Sequence, residues 1–365
     1  MTVPSNQLIS FTRAVPPIAA LMPTVQFEEL ATAAIRRDAI TLQAYGNQAG
    51  YPALRTQLAT EYRVDESHIL IGGEGSLQLL DLLAHDGEDS LVLVEQPSYD
   101  RAIITFRRHG AQVVGIPMED DGISVGGVEA AIAKLGAPRF VYLVPDSQNP
   151  TGVTLSGGKR QAIIALAKQH DFTIIEDIPY RHLRYTGERQ AMLRKLDNKH
   201  VVTISSFSKL IAPGLRVGYM VAPAKIISDL VKLAEDTYVS PALLNQAIVS
   251  EFLLRGLLED KIFQLIKLYR PRWQAAMEAV APLSGRQYPA DGGFMIGVEL
   301  PAGANTKNLV ERAHNVGVGI APGRLFYADN LNDADSEPDR FLRLPFCALS
   351  EAEFAEGIRR LAALL

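Results

Sequence analysis

The sequence predicts an α/β protein with a large domain on a mostly parallel sheet and a smaller α+β domain. Three observations carry that expectation. Between His68 and Ser205, short apolar runs alternate with longer amphipathic ones, the order of strands joined by helical crossovers. The apolar runs are continuous, which suits strands covered on both faces. After Pro241 the pattern changes to long helical stretches followed by short, spaced strands.

Taken in order, His68–Gly72 reads as a strand and Ser76–Ala84 as a helix. Ser90–Val94 is a strand and Tyr99–His109 a helix. Ala111–Ile116 is a strand and Val128–Leu135 a helix, then Arg139–Val144 a strand and Gly158–His170 a helix. Phe172–Glu176 and Val201–Ser205 are further strands. A helical stretch from Leu243 to Ala281 is expected to break near Pro271, because proline removes a helix hydrogen bond. The apolar segment Gly293–Leu300 follows, then a helix near Lys307–Asn315, strands near Val318–Ala321 and Phe341–Leu344, and a last helix from Glu351. The acidic, apolar-poor segment Ala328–Asp339 is expected to be a surface loop. The division expected is a large domain over 30–245 and a small one formed by 1–29 and 246–365.

Composition narrows the function classes. The 365 residues carry 36 Lys+Arg against 41 Asp+Glu, a net charge of −5, and 47% are hydrophobic. That supports a sizeable core and gives no electrostatic reason to expect nucleic acid or an anionic membrane as partner. A single cysteine, Cys347, excludes an internal disulfide and a multi-cysteine metal site. No run has the ~20 apolar residues of a membrane helix, and the first residues lack the build of a signal peptide. A cytoplasmic location is the expectation.

Four constellations can carry chemistry. Gly72-Gly-Glu-Gly-Ser-Leu77 lies between a strand and a helix, where free N–H groups attract phosphate. A dinucleotide-binding alternative also fits part of this stretch: Gly73-Glu-Gly75 begins a G-x-G-x-x-G without its last glycine, and Glu95 stands where a ribose-binding acid would. Ser147-Gln-Asn149-Pro150-Thr151-Gly152 follows a parallel strand and points Asn149 towards the ligand crevice. Glu176 and Asp177 are delivered at a strand end, with Tyr180 three residues beyond Asp177. A carboxylate there can serve as fixed counter-charge to a cationic ring nitrogen. Ser206-Phe-Ser-Lys209 precedes a Pro-Gly turn and Arg216. A lysine held in a partly apolar site near other cations loses basicity and becomes a Schiff-base nucleophile. The S-x-x-K spacing also occurs in penicillin-binding serine hydrolases, but the later motifs of that class do not follow.

In this order and spacing the chain resembles the fold-type I, class I/II aminotransferases that use pyridoxal 5'-phosphate (PLP), over nearly its whole length. The pieces that carry the resemblance are Tyr45 with Gly50-Tyr-Pro-Ala-Leu-Arg55, Gly75-Ser76, Glu95-x-Pro-x-Tyr99, Asn149-Pro-Thr-Gly152, Asp177-x-x-Tyr180, Ser206-Phe-Ser-Lys209 and Arg216. Leu244-x-Gln246, Pro289–Phe294, Val318–Gly323 and Leu342–Phe346 are similar to the 2-aminoadipate aminotransferase subgroup and to effector domains of related transcription regulators.

The resemblance implies the PLP-transferase fold, PLP as cofactor, and exchange of an amino group between an L-amino acid and a 2-oxo acid. It implies that Lys209 forms the internal aldimine and shuttles the proton, and that Asp177 pairs with the pyridine nitrogen. Tyr180 and Asn149 would bind the phenolate oxygen, and Tyr99 would stack on the ring. Gly75, Ser76, Leu77, Ser206, Ser208 and Arg216 would form the phosphate site. Tyr45 would reach the phosphate of the other subunit of a homodimer. Arg343, with Asn149 and Ala14 nearby, would meet the substrate. Arg55 is expected to be a structural salt-bridge partner. Ala14 stands where the family has glycine, and Arg13 with the apolar stretch Val15–Met22 occupies the segment that faces substrate. A medium-sized, mostly apolar amino acid is the expected donor, with acidic side chains accepted if Arg13 turns inward. The same fold also hosts lyases, decarboxylases and oxidases, and a ligand-sensing regulator domain is a further alternative.

Overall fold

The computed structural model describes residues 8–330 and 338–365. Its strands are β1 (Ile9–Ser10), β2 (Ile69–Gly72), β3 (Leu91–Gln96), β4 (Gln112–Glu119), β5 (Gly122–Ile123), β6 (Phe140–Leu143), β7 (Thr173–Asp177), β8 (Val201–Ser206), β9 (Gly218–Val221), β10 (Arg286–Gln287), β11 (Met295–Glu299), β12 (Val318–Gly319), β13 (Asp329–Asn330) and β14 (Phe341–Pro345). The central sheet runs β13-β4-β3-β6-β7-β8-β9-β2, with β5 beside β4. Its middle, β4-β3-β6-β7-β8, is parallel throughout. β9 pairs antiparallel with both β8 and β2 at one end.

Alternate residues of the parallel strands enter two cores. Val92, Val94, Tyr142, Ile175, Val202 and Ile204 face one, and Leu91, Leu93, Val141, Leu143, Ile174 and Val201 the other. Each face is thus covered, which is why the strands are apolar without alternation. The crossover helices Ser76–Ala84, Asp100–Arg108, Val125–Leu135 and Gly157–His170 pack on these faces. Asp100 in the first turn and Arg107 and Arg108 in the last complement the dipole of the second of these helices. The C-terminal part contributes the antiparallel sheet β10-β11-β14 and the helices Thr306–Asn315 and Glu351–Ala362. β1 pairs with β12, so the start of the chain joins this part.

Four expectations need correction. The long helical stretch does not break at Pro271, which lies inside the helix Leu257–Ala279. The interruption is at Gly256, whose φ of +69° ends one helix and starts the next. Arg55 donates to the carbonyls of Ile69 (3.2 Å) and Glu66 (2.6 Å), not to a carboxylate. Glu95 does not face a ligand crevice. It is 1% exposed and accepts from the Val144 amide at 3.0 Å and Gln148 Nε2 at 3.2 Å, so the dinucleotide alternative loses its ribose acid. The segment expected as a loop over Ala328–Asp339 instead places Asp329–Asn330 on the sheet edge, parallel to β4. Its residues 331–337 lie outside the described residues.

Candidate active site

The carboxyl ends of β6, β7 and β8 open into a cavity of about 510 Å³. It sits where ligands bind in parallel α/β sheets, beyond the strand ends. Ala14, Ser76, Leu77, Tyr99, Asn149, Asp177, Tyr180, Ser206, Ser208, Lys209, Arg216 and Arg343 all line it. Residues more than three hundred positions apart are therefore assembled around one space. Tyr45 does not reach it and is 89% exposed.

One end of the cavity is built of donors. Gly75, at φ +78°, caps the nine-residue helix Ser76–Ala84, whose first amides have no partner within the helix. The Gly75 amide donates to the Arg216 carbonyl at 2.8 Å. The Arg216 guanidinium donates back to the Glu74 carbonyl at 2.7 Å and approaches Ser208 Oγ at 3.4 Å. The Ser206 and Ser208 hydroxyls are 2.9 Å apart. The φ of +78° at Gly75 favours glycine, and a β-carbon there would also displace the end of the Arg216 side chain, whose Nη2 would lie 2.7 Å away. Helix amides, hydroxyls and one guanidinium converging in this way make an anion site.

The floor carries Asp177, 7% exposed at the end of β7. Its Oδ2 accepts from the Tyr142 hydroxyl at 2.8 Å, while its buried Oδ1 has no partner among the described residues. Burial pushes this carboxyl up to about 6, against the lowering effect of the Tyr142 hydrogen bond. A buried acceptor left open is costly, so Oδ1 marks where a donor belongs. Tyr180 is 4% exposed, with its ring 5.5 Å from that of Phe294. Burial raises its hydroxyl well above the ordinary range, and pushes the Tyr99 hydroxyl up to about 12.

Lys209 ends the short turn Phe207–Lys209 after β8. Nζ donates to the Ala14 carbonyl at 3.3 Å and lies 5.6 Å from the Phe294 ring centroid. Burial lowers its basicity; the charges of Arg216 and Arg343 lower it further, against an opposing effect of Cys347. Arg343, on β14, donates to the Thr12 carbonyl at 2.8 Å and to Asn149 Oδ1 at 3.4 Å. Its guanidinium carbon lies 4.7 Å from the Phe326 ring centroid, and Nε is buried without a partner among the described residues. Cys347 donates from Sγ to the Val15 carbonyl at 3.4 Å. The segment from Thr12 to Val15 is thus held across the cavity by side chains of the C-terminal part and of the sheet.

Asn149, 6% exposed, is placed by its neighbour Gln148. Gln148 Oε1 accepts from the Thr151 amide at 2.8 Å, and Nε2 donates to the Pro97 carbonyl at 2.8 Å. Sequence reasoning missed Tyr142, Asp100, Arg101, Val144, Ala321, Leu325 and Phe326 as lining residues. Only Tyr142 left a signal, as the one hydroxyl-bearing side chain in the apolar run Phe140–Val144.

The family model for aminotransferase class I and II matches residues 19–361. The chain is 30% identical over 361 residues to an aromatic-amino-acid aminotransferase of Thermococcus litoralis, covering 95% of this chain and 85% of that one. Its fold is similar to that of Pyrococcus horikoshii kynurenine aminotransferase in complex with pyridoxamine phosphate (PMP), with a TM-score of 0.91, 31% identity, and coverage of 98% and 90%. It is also similar to the α-aminoadipate aminotransferase of Thermus thermophilus complexed with N-(5'-phosphopyridoxyl)-L-leucine. There the TM-score is 0.89 and the identity 30%, with coverage of 98% and 91%.

Proposed function

Given that the chain belongs to the class I and II aminotransferase family, we propose how its cavity residues perform amino-group transfer. The protein is a PLP-dependent aminotransferase that exchanges an amino group between an amino acid and a 2-oxo acid. The observation that carries the residue assignment is the buried Asp177 Oδ1, without a partner among the described residues, in a residue that lines the same cavity as Lys209. An acceptor at the floor, an anion site at one end and an amine between them fit a phosphorylated pyridine aldehyde. When bound, PLP supplies an electron sink that stabilises the carbanion formed at the substrate Cα.

Ser76, Ser206, Ser208, Arg216 and the amides that follow Gly75, that of Leu77 in the first helical turn included, would hold the phosphate. Asp177 Oδ1 would accept the pyridine N–H and keep that nitrogen protonated. Asn149 and Tyr180 would bind the ring's phenolic oxygen, and Tyr99 would cover the ring face. Lys209 is the covalent attachment residue and the base that moves the substrate Cα proton. Its lowered basicity leaves more free amine near neutral pH than an exposed lysine has. Arg343 presents a planar fork suited to the substrate α-carboxylate, and Asn149 and Ala14 stand beside it.

The same reading extends to donor and assembly. Val15, Leu77, Val144, Ala321, Leu325 and Phe326 form an apolar part of the wall, which gains roughly 0.8 kcal/mol per substrate CH₂ buried. Medium-sized apolar or aromatic amino acids are therefore the proposed donors, and the kynurenine and aromatic substrates in the relatives' names are of that kind. Arg13, exposed at the cavity mouth, is the candidate partner for an acidic side chain. The exposed Tyr45 and the exposed Val25, Ile35 and Ile40 of the helix Thr24–Gln43 support a homodimer in which Tyr45 serves the partner's phosphate site. The domains proposed are 30–245, and 1–29 with 246–365, in a cytoplasmic enzyme; among the described residues no helix is long and apolar enough to cross a membrane.

Borohydride reduction of the PLP-loaded protein, followed by peptide mass mapping, tests the attachment. A pyridoxyl group on Lys209 is expected, and a label on another lysine overturns the assignment. Absorbance spectra recorded with a panel of amino acids identify the donor.

A further inference from the structure

We propose that Tyr142 is a positioning residue of this site: its hydroxyl fixes the Asp177 carboxylate so that Oδ1 faces the cavity and receives the pyridine N–H. The inference rests on the role given above to Asp177. It begins from strand register. Tyr142 on β6 is paired with Ile175 on β7, and Asp177 is two residues beyond Ile175. Side chains two apart on a strand share a face, so the long phenol reaches diagonally along the sheet to the carboxylate. Its ring is 0% exposed and packs edge-on to Phe106, with centroids 6.1 Å apart. The hydroxyl is therefore delivered from a rigid wall.

The surroundings of Asp177 make this bond important. The groups that interact with it electrostatically are Glu95 from β3, Tyr99 at the start of the helix Asp100–Arg108, Tyr142 from β6 and Tyr180 beyond β7. Among the described residues no cation forms an ion pair with Asp177. Burial disfavours its negative charge, and among the described residues the Tyr142 hydroxyl is the one hydrogen-bond donor that favours it. A hydrogen bond to an ionised acceptor is stronger than one to a neutral group. The phenol thus does two things: it keeps the carboxyl ionised, and it occupies Oδ2 so that Oδ1 remains for the cofactor. A tyrosine present only for packing would need neither consequence.

Four proteins test this: wild type, Tyr142→Phe, Asp177→Asn and the double variant. The measurement is the PLP dissociation constant of the cofactor-free protein, by absorbance titration across the acid-to-neutral range. Losing a hydrogen bond to a charged group predicts roughly tenfold or greater weakening in Tyr142→Phe. It also predicts that affinity is lost at a higher pH as the solution is acidified. In the Asp177→Asn background the same hydroxyl deletion should change affinity by less than about twofold, because the two residues act as one unit. Equal losses in both backgrounds, or an unchanged affinity and pH profile in Tyr142→Phe, overturn the proposal. Asp177→Asn binding PLP like wild type would instead overturn the role of Asp177 itself. Phenylalanine keeps the ring against Phe106, so a cooperative melt is expected. A Tyr142→Phe protein that does not melt cooperatively assigns the hydroxyl to folding and also overturns the proposal.

Discussion

Gly218 packs directly beneath Ser76: a β-carbon on Gly218 would stand 2.4 Å from the Ser76 amide nitrogen. The neighbour is backbone, so no side chain can swing away to admit it. The strand end of β9 and the helix start that carries the anion site are locked together by the absence of a side chain. Gly218→Ala must push the helix start outward. We expect a stability loss of about 1–3 kcal/mol from overpacking, and weaker PLP binding measured by titration of the cofactor-free protein. Unchanged PLP affinity would show that the anion site does not depend on this approach.

Asp177→Asn should lower turnover by about a hundredfold or more, the scale seen when a preorganised charge is removed from a reacting centre. The cofactor-free protein offers a second readout. The folded carboxyl titrates at about 6, above its ordinary value of about 3.9. In that window the folded state binds the proton more tightly than the unfolded chain. This group's contribution to stability is therefore present at low pH and lost as pH rises through about 6. Thermal melts of wild type and Asp177→Asn should differ by that slope between about pH 4 and 6. Parallel curves would contradict the raised value.

Arg343→Lys replaces a planar fork with a single ammonium. A charge-assisted hydrogen bond contributes about 1.5–3 kcal/mol, so KM for amino donors should rise roughly 10- to 100-fold. Steady-state kinetics decide it. A KM within twofold of wild type would remove Arg343 from the carboxylate role.

Arg13→Ala separates the two donor classes. Rates with leucine, methionine and phenylalanine should stay near wild type, while those with glutamate and 2-aminoadipate fall. If acidic donors are the fastest and remain so without Arg13, both the apolar wall and the role of Arg13 are wrong.

Sedimentation should show a dimer at assay concentrations. Tyr45→Phe should weaken PLP binding without dissociating it, since the lost group is one hydroxyl among several phosphate donors, contributing about 1 kcal/mol. A fully active monomer would contradict the shared site.

The parallel half of the fold was legible because each of its strands is covered on both faces and flanked by amphipathic helices; the helix Ser76–Ala84 was placed to the residue. The break at Gly256 was hidden because Pro271 looked like the stronger punctuation. A proline in a long helix can be absorbed, whereas a glycine at positive φ redirects the chain. The turn motifs around Asn149, Asp177, Lys209 and Arg216 were legible because they sit at strand ends, where side-chain type is dictated by chemistry. Leu325, Phe326 and Ala321 were not. Their place in the cavity is fixed by packing of the C-terminal part, and an apolar residue in a loop carries no local mark of what it faces. Glu95 misled for a related reason: its position at a strand end suggested a ligand, while its partners turned out to be Val144 and Gln148.

The sole cysteine of the chain, Cys347, is 0% exposed, and burial pushes its thiol up to about 12. At neutral pH it is neither ionised nor accessible, so it is a poor nucleophile towards alkylating reagents. The native protein therefore offers a silent background for thiol chemistry. A cysteine introduced at an exposed position outside the proposed dimer face, such as Ile104, would be the one reactive thiol among the described residues. Maleimide dyes or spin labels attached there can test the proposed dimer through label-to-label distances, with no native residue to delete first.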